Sequence, residues 1–196
     1  MYTDDNAIII RIPQMEVIYK DVFHMKWLYR VVKDWLELES WSDATEFDVN
    51  GTKGLFMEAL YLERRLKAKD WRIWWRLYKK INNYYRYRLN INWIVLMATD
   101  VEIMHEGRKI KCQTAEITIK IEPVIEVDWK NEWENHWILK YFHNWFRERV
   151  FYKEMDKHKI ELWRDAYRLQ GMIKKYLETK TFLPDMEIFN EKFDEM

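Results

Sequence analysis

Hydrophobic positions alternate near the N-terminus of the chain and then change to helical spacing. Isoleucines alternate over residues 7 to 12 and Pro13 follows them, which predicts a first β-strand. After Asp21, a candidate helix N-cap, large apolar residues recur in steps of three and four as far as Leu38. The chain is therefore expected to begin with one strand and one amphipathic helix.

Extended segments dominate the middle of the chain. Their apolar patterns predict strands over residues 55 to 65, 71 to 81 and 84 to 97, and two more within residues 101 to 129. Turns are predicted within the last segment at His105-Glu106-Gly107 and near Gln113-Thr114. Strands that follow one another without intervening helices indicate an antiparallel meander.

Apolar residues return to helical spacing after Asn131. The two stripes are Trp133, Trp137, Tyr141 and Trp145, and then Leu162, Ala166, Leu169, Ile173 and Tyr176. This spacing predicts two helices, or one long bent helix, over residues 131 to 178.

The order of these elements predicts the α+β fold class. We expect an antiparallel β-meander of about five or six strands, with an N-terminal helix and long C-terminal helices packed on one face. A helix-grip arrangement, in which a long terminal helix closes a curved sheet over an apolar cavity, is one form of this architecture. The chain has 196 residues, 48% of them apolar, which is enough for one core. A single domain is predicted over residues 1 to 183, followed by an acidic amphipathic tail over residues 184 to 196.

Residues 71 to 93 hold eight aromatic and six basic residues and no acidic residue. A two-residue turn at Asn82-Asn83 would set the apolar face of one strand against the polar face of the next. A three-residue loop from Asn82 to Tyr84 instead places Leu77 opposite Leu89 and matches the faces. The predicted outer face carries Arg72, Trp74, Arg76, Tyr78, Lys80, Arg86 and Arg88, and we call this set the hairpin face.

Charge is segregated along a chain whose net charge is +0. Residues 64 to 92 contain ten basic residues and one acid, whereas residues 34 to 63 contain eight acids and one lysine. The tail holds five acids and one lysine, with apolar side chains at helical spacing in Met186, Phe189 and Phe193. The pattern favours a protein-interaction or self-assembly domain whose partner is another copy of the chain or an acidic protein.

Three alternatives remain open at this point. In the first alternative, the basic side chains of the hairpin face stack on Trp74 and Tyr78 in a ladder of cation–π contacts, which keeps the sheet soluble and binds no partner. RNA or single-stranded DNA would bind the same face through phosphate pairing and base stacking, although the net charge of the chain is not that of a dedicated nucleic-acid binder. The third alternative is an apolar small molecule or lipid in a cavity between the sheet and the C-terminal helix.

The sequence offers little for catalysis, so a non-enzymatic protein is expected, with no catalytic residue and no cofactor. His136 and His143 lie seven residues apart on one helix face, with Glu132 one turn before, but zinc needs three or four ligands, and no metal site is predicted. Gly107 follows His105-Glu106, which indicates a hairpin turn and not a zinc-binding helix. No phosphate loop or nucleophile elbow is present.

Most of the twelve tryptophans have the spacing of core residues. The expected core tryptophans are Trp27, Trp35, Trp71, Trp75, Trp93, Trp133, Trp137 and Trp145. The longest uncharged run is the eleven residues from Leu89 to Thr99, which is too short to span a membrane as a helix. A single cysteine, Cys112, and an acidic N-terminus lead us to expect a cytoplasmic protein without membrane insertion.

Overall fold

The computed structural model describes residues 8–41, 58–65, 67–105 and 108–179. These residues form a six-stranded antiparallel sheet and three helices, which confirms the predicted α+β class. The elements are β1 (Ile8–Arg11), β2 (Met15–Phe23), α1 (Met25–Leu38), β3 (Glu58–Arg65), β4 (Lys69–Lys80), β5 (Tyr85–His105), β6 (Arg108–Val127), α2 (Leu139–Arg149) and α3 (Tyr152–Thr179).

Strand β6 organises the sheet, because three other strands pair with it. One of its edges pairs with β5 along nearly its whole length. The other edge is shared by two short strands in succession, with β1 on Val124 to Val127 and β2 on Gln113 to Ile121. The sheet continues from β5 through β4 to β3. The predicted meander is therefore present, extended by the two N-terminal strands.

Strand β2 was not predicted from the sequence, and the first helix begins later than predicted. Asp21 lies inside β2 opposite Ala115, so its prediction as a helix N-cap is wrong. The observed N-cap is His24, whose Nδ1 accepts a hydrogen bond from the Trp27 N–H at 3.3 Å. The long edge of β6 supplies backbone partners for this segment, and no local pattern in β2 reveals that edge.

Strands β5 and β6 are longer than predicted. A bulge between Leu96 and Thr99, with Met97 at φ 54°, lets β5 continue where the sequence suggested two strands. The turn predicted near Gln113-Thr114 is wrong, because both residues pair within β6. The turn at His105-Glu106-Gly107 agrees with the junction between β5 and β6, although residues 106 and 107 lie outside the described residues.

The register of the β4–β5 hairpin is the predicted one. Leu77 pairs with Leu89, and the flanking pairs are Trp75 with Ile91 and Ile73 with Trp93. In the three-residue loop, the Asn82 Oδ1 accepts hydrogen bonds from the N–H groups of Tyr84 at 2.8 Å and Tyr85 at 2.6 Å. The outer face and the core face are thereby assigned as the sequence indicated.

The core lies between the inner face of the sheet and helices α1 and α3. Edge-to-face and tilted ring contacts join Trp75 to Tyr29 at 4.8 Å and to Trp93 at 5.1 Å between centroids. The helices contribute the buried residues Leu28, Val32, Leu36, Leu162, Ala166, Leu169, Ile173 and Leu177. In the described part of the chain, none of the helices is long and apolar enough to cross a membrane.

Replacing Trp75 with alanine tests the assignment of the two sheet faces. Trp75 is fully buried whereas its neighbour Trp74 is 42% exposed. We expect Trp75→Ala to lower the free energy of unfolding by about 3 to 5 kcal/mol, because it leaves a cavity. Trp74→Ala is the matched control and should cost less than about 1 kcal/mol. Urea denaturation measures both, and equal losses would contradict the assignment.

Replacing His24 with asparagine tests the cap of α1. Burial is the main cause that lowers the pKa of His24, and Lys26 adds to it. The folded state therefore favours the neutral form of the His24 ring. The ring makes its full contribution to the free energy of unfolding above pH ~6.5, and this contribution falls as the pH drops below that value. An asparagine side chain would keep a cap acceptor without titrating, so the loss of unfolding free energy between about pH 7.5 and 5.5 should be smaller in His24→Asn. Identical pH profiles would refute this.

Candidate interaction surface

The hairpin face lies on the side of the sheet opposite to α1 and α3. Arg72, Trp74 and Lys80 are exposed there, and Arg76 and Tyr78 are half-buried. Their cross-strand neighbours on β5 include Arg86 and Arg88. The structure therefore brings all seven predicted residues onto one face.

Glu126 changes the electrostatics of this face. This β6 residue is only 4% exposed, and no pattern in the sequence marks it as a functional residue. Its carboxylate accepts hydrogen bonds from the Arg86 Nε and the Arg88 Nη1, each at 2.7 Å. Both guanidinium groups are therefore held by a carboxylate inside the protein and are less available to an external anion than the sequence suggested.

Aromatic rings complete the environment of Arg86. Its guanidinium carbon lies 4.7 Å from the centre of the Tyr78 ring and 4.6 Å from that of Trp129. The Lys80 ammonium is 5.7 Å from the same Trp129 ring. Cation–π contacts of this kind form the cross-strand ladder that the sequence offered as one alternative for the hairpin face. Trp129 joins this cluster from the segment after β6, which only the folded chain places here.

Arg76 is also held within the sheet. Its Nη1 donates to the Trp75 carbonyl at 2.8 Å and to the Asn92 Oδ1 at 2.9 Å, and its guanidinium lies over the Trp74 ring. Burial lowers the pKa of Arg76, and the charge of Glu122 opposes that shift. The side chains of the hairpin face that remain exposed are thus concentrated on β4.

Helix α2 and the turn that precedes it expose aromatic residues, two of which were predicted to lie in the core. Trp137 is 74% exposed, Tyr141 75% and Trp145 50%, so the core prediction is wrong for Trp137 and Trp145. We call these three residues the aromatic stripe. Ile138 and Phe142 beside it are also exposed. Exposed apolar surface of this extent on one short helix and the turn before it is typical of a contact site.

The opposite side of α2 is anchored to the hairpin loop. His143 is buried, and its Nε2 lies within hydrogen-bond distance of the Tyr84 hydroxyl at 2.9 Å. The Tyr84 ring also contacts the rings of Trp133 at 5.5 Å and Phe151 at 5.3 Å. His143 is two residues from Tyr141 and from Trp145, roughly 200° around the helix. The helix is therefore positioned by a small polar and aromatic cluster, while its apolar stripe faces outward.

The two histidines considered as metal ligands have other roles in the fold. The Nδ1 of His136 accepts hydrogen bonds from the N–H groups of Ile138 and Leu139, both at 3.3 Å, where α2 begins. His143 contacts Tyr84 as described above. Across the described ranges, no three His, Cys, Asp or Glu side chains are grouped so that they could hold a metal ion.

Replacing Glu126 with glutamine tests whether the hairpin face is neutralised from within. Glu126→Gln would leave two partly buried guanidinium groups without a counter-charge, and we expect it to cost about 2 to 3 kcal/mol of unfolding free energy. The control is Glu116→Gln, which breaks the exposed contact with Lys20 at 3.7 Å and should cost under about 0.5 kcal/mol. Equal costs in urea denaturation would show that the Glu126 cluster adds nothing.

Two neighbouring surfaces thus stand out around the β4–β5 hairpin. One is the hairpin face, and the other is the aromatic stripe, held on α2 by Tyr84 in the hairpin loop. The candidate contact residues of the tail, Met186, Phe189 and Phe193, lie outside the described residues. Comparison of the chain with protein-family models, curated proteins and solved structures finds no match.

Proposed function

We propose that this protein is a non-enzymatic interaction domain that assembles with itself. The tail of one copy, residues 184 to 196, would bind the aromatic stripe of a second copy, beside the hairpin face. The observation that carries this proposal is the exposure of Trp137, in the turn before α2, and of Tyr141 and Trp145 on α2, whose other side contacts the body of the protein through His143. Large rings that are rigidly held and exposed are typical anchors of protein interfaces.

Charge and apolar spacing make the tail a suitable occupant. Residues 137 to 153, which begin with the stripe and end at the start of α3, contain four Lys or Arg residues and one acid. The tail contains five acids and one lysine, and its three large apolar side chains would share one face of a helix. Apolar burial would supply the affinity, and the opposite charges would set the orientation and speed the encounter.

The length of α3 favours binding between copies over binding within one copy. This helix has 28 residues, or about 40 Å, and its two ends lie at different parts of the fold. Phe151, just before α3, contacts Tyr84 in the hairpin loop, whereas Tyr176 near the other end donates to the His24 carbonyl. Residues 180 to 183 could span at most about 14 Å, and a helical tail would add about 20 Å. Together these lengths are shorter than α3, so a helical tail that folded back along its own α3 would not reach the cluster that anchors α2. A second copy has no such tether.

Association of the full chain, measured by size-exclusion chromatography with light scattering, tests the proposal. We expect an oligomer at micromolar concentration, and a monomer for either Trp137→Ala/Tyr141→Ala or Phe189→Ser/Phe193→Ser. The matched control is Trp163→Ala/Tyr167→Ala, which removes a stacked and exposed aromatic pair from α3 and should keep the oligomer. High salt should weaken the wild-type assembly through screening.

Mixing the two disabled variants gives the sharpest test. Each retains the half that the other lacks, so an equimolar mixture should form a heterodimer through one intact tail and one intact stripe. If the wild type is a monomer, or if the mixture stays monomeric while each variant keeps its circular dichroism spectrum, the proposal is wrong.

Nucleic-acid binding is the competing function for this part of the molecule. The hydrogen bonds from Arg86 and Arg88 to Glu126 weigh against it, because those cations already have a partner. A monomeric wild type that binds oligothymidine with a steep salt dependence, and about tenfold more weakly after Trp74→Ala, would replace the self-assembly proposal with this one.

A further inference from the structure

An open cleft of about 700 Å³ lies beside α1, away from the hairpin face and the aromatic stripe. Its walls come from the first turns of α1, the edge strand β3, the neighbouring part of β4 and the first residues of β6. The apolar and aromatic lining consists of Met25, Tyr29, Tyr61, Trp71 and Ile73. A cleft of this size is in the range that accommodates small molecules.

The two ends of the cleft differ in chemistry. At the start of α1, the Met25 N–H donates to the Gln113 Oε1 at 3.2 Å, which places Lys26 and Lys111 at this end. One turn further along α1, Tyr29 packs on Trp75, and Trp75 is opposite Glu58 on β3. The cleft therefore runs along α1 from a basic end to an end that carries Glu58.

The basic end has polar groups that can bind an anion. Lys26 and Lys111 are exposed and form no salt bridge with a described residue. His24 also lines the cleft, and its Nδ1 is occupied as an acceptor from the Trp27 N–H. The proton of the neutral ring is then on Nε2, which is left as a donor.

Both glutamates of the lining are on β3, three strands away from Lys111 on β6. Glu63 is opposite Trp71, between the two ends of the cleft, and accepts two hydrogen bonds from Arg65, from Nε at 2.7 Å and from Nη2 at 3.2 Å. Burial raises the pKa of Glu58, and the neighbouring Trp75 indole partly offsets that rise. The carboxylate of Glu58 makes this end of the cleft unfavourable for a bound anion.

We infer that this cleft binds a carboxylate with an apolar body. The carboxylate would pair with Lys26 and Lys111 and accept a hydrogen bond from the His24 Nε2–H. The apolar body would lie along Tyr29, Trp71 and Ile73 and point toward Glu58. An uncharged apolar molecule would leave the lysines unused, whereas an apolar cation would be repelled by the two lysines at one end of the cleft.

Methyl NMR of the full chain, labelled with ¹³C-methyl methionine, tests this site directly. The probes are decanoate and 1-naphthoate, which distinguish an aliphatic from an aromatic body, and their uncharged matches are 1-decanol and 1-naphthol. We expect at least one carboxylate to shift the Met25 methyl signal in a saturable way, while Met97 and Met172, which do not line the cleft, stay unchanged. The uncharged match should bind at least about tenfold more weakly.

Two lysine variants separate charge pairing from general attraction. Lys26→Ala/Lys111→Ala should weaken carboxylate binding on the order of tenfold and leave binding of the uncharged match unchanged. Lys20→Ala/Lys120→Ala removes the same total charge from outward-facing positions that pair with Glu116 and Glu16, and should change neither. If no carboxylate shifts Met25, or if both variants weaken binding equally, the inference is wrong. Because the aromatic stripe lies elsewhere, the assembly assay is independent of this result.

Discussion

Two hydrogen bonds to the Asn82 side chain fix the loop on which the arrangement of the whole molecule depends. The Oδ1 accepts from Tyr84 and Tyr85, and the resulting three-residue loop sets which side chains of β4 and β5 share a face. A loop one residue shorter would exchange the two faces of one strand. Trp75 and Trp93 would then no longer share the core face that α1 and α3 cover. The same loop presents Tyr84 to the cluster that anchors α2.

The outer face of the sheet is stabilised by contacts that also limit its function. Glu126, nearly buried in β6, holds Arg86 and Arg88, and the rings of Tyr78 and Trp129 contact Arg86. Guanidinium groups in such a network are costly to release, because the carboxylate would be left without a counter-charge. The hairpin face is therefore better suited to flank an interface than to bind phosphates along its whole length. This leaves the aromatic stripe as the stronger anchor.

Helix α3 separates the surfaces for which functions are proposed. It begins near the hairpin loop, packs its buried stripe on the sheet and ends close to the start of α1. The aromatic stripe lies at the first end, and the residues that lead to the tail and the basic end of the cleft lie toward the second. Self-assembly through the stripe and the tail would therefore use residues other than those that line the cleft.

The sequence by itself determined the features that depend on the spacing of apolar residues within a helix and on the alternation of side chains along a strand. The α+β class, the β4–β5 register and the buried stripe of α3 at Leu162, Ala166, Leu169 and Ile173 all follow from spacing within one or two neighbouring elements. Tertiary structure decided what depends on distant partners. Strand β2 forms because β6 offers it an edge, and Arg86 and Arg88 are neutralised because β6 places Glu126 beside them. Trp137 and Trp145 have core spacing yet remain exposed, because Trp137 lies in the turn before α2 and His143, on the side of α2 opposite to Trp145, makes the contact with the body of the protein. The periodicity of apolar residues predicts that a helix has an apolar face, but only the packing of the whole chain decides whether that face is buried.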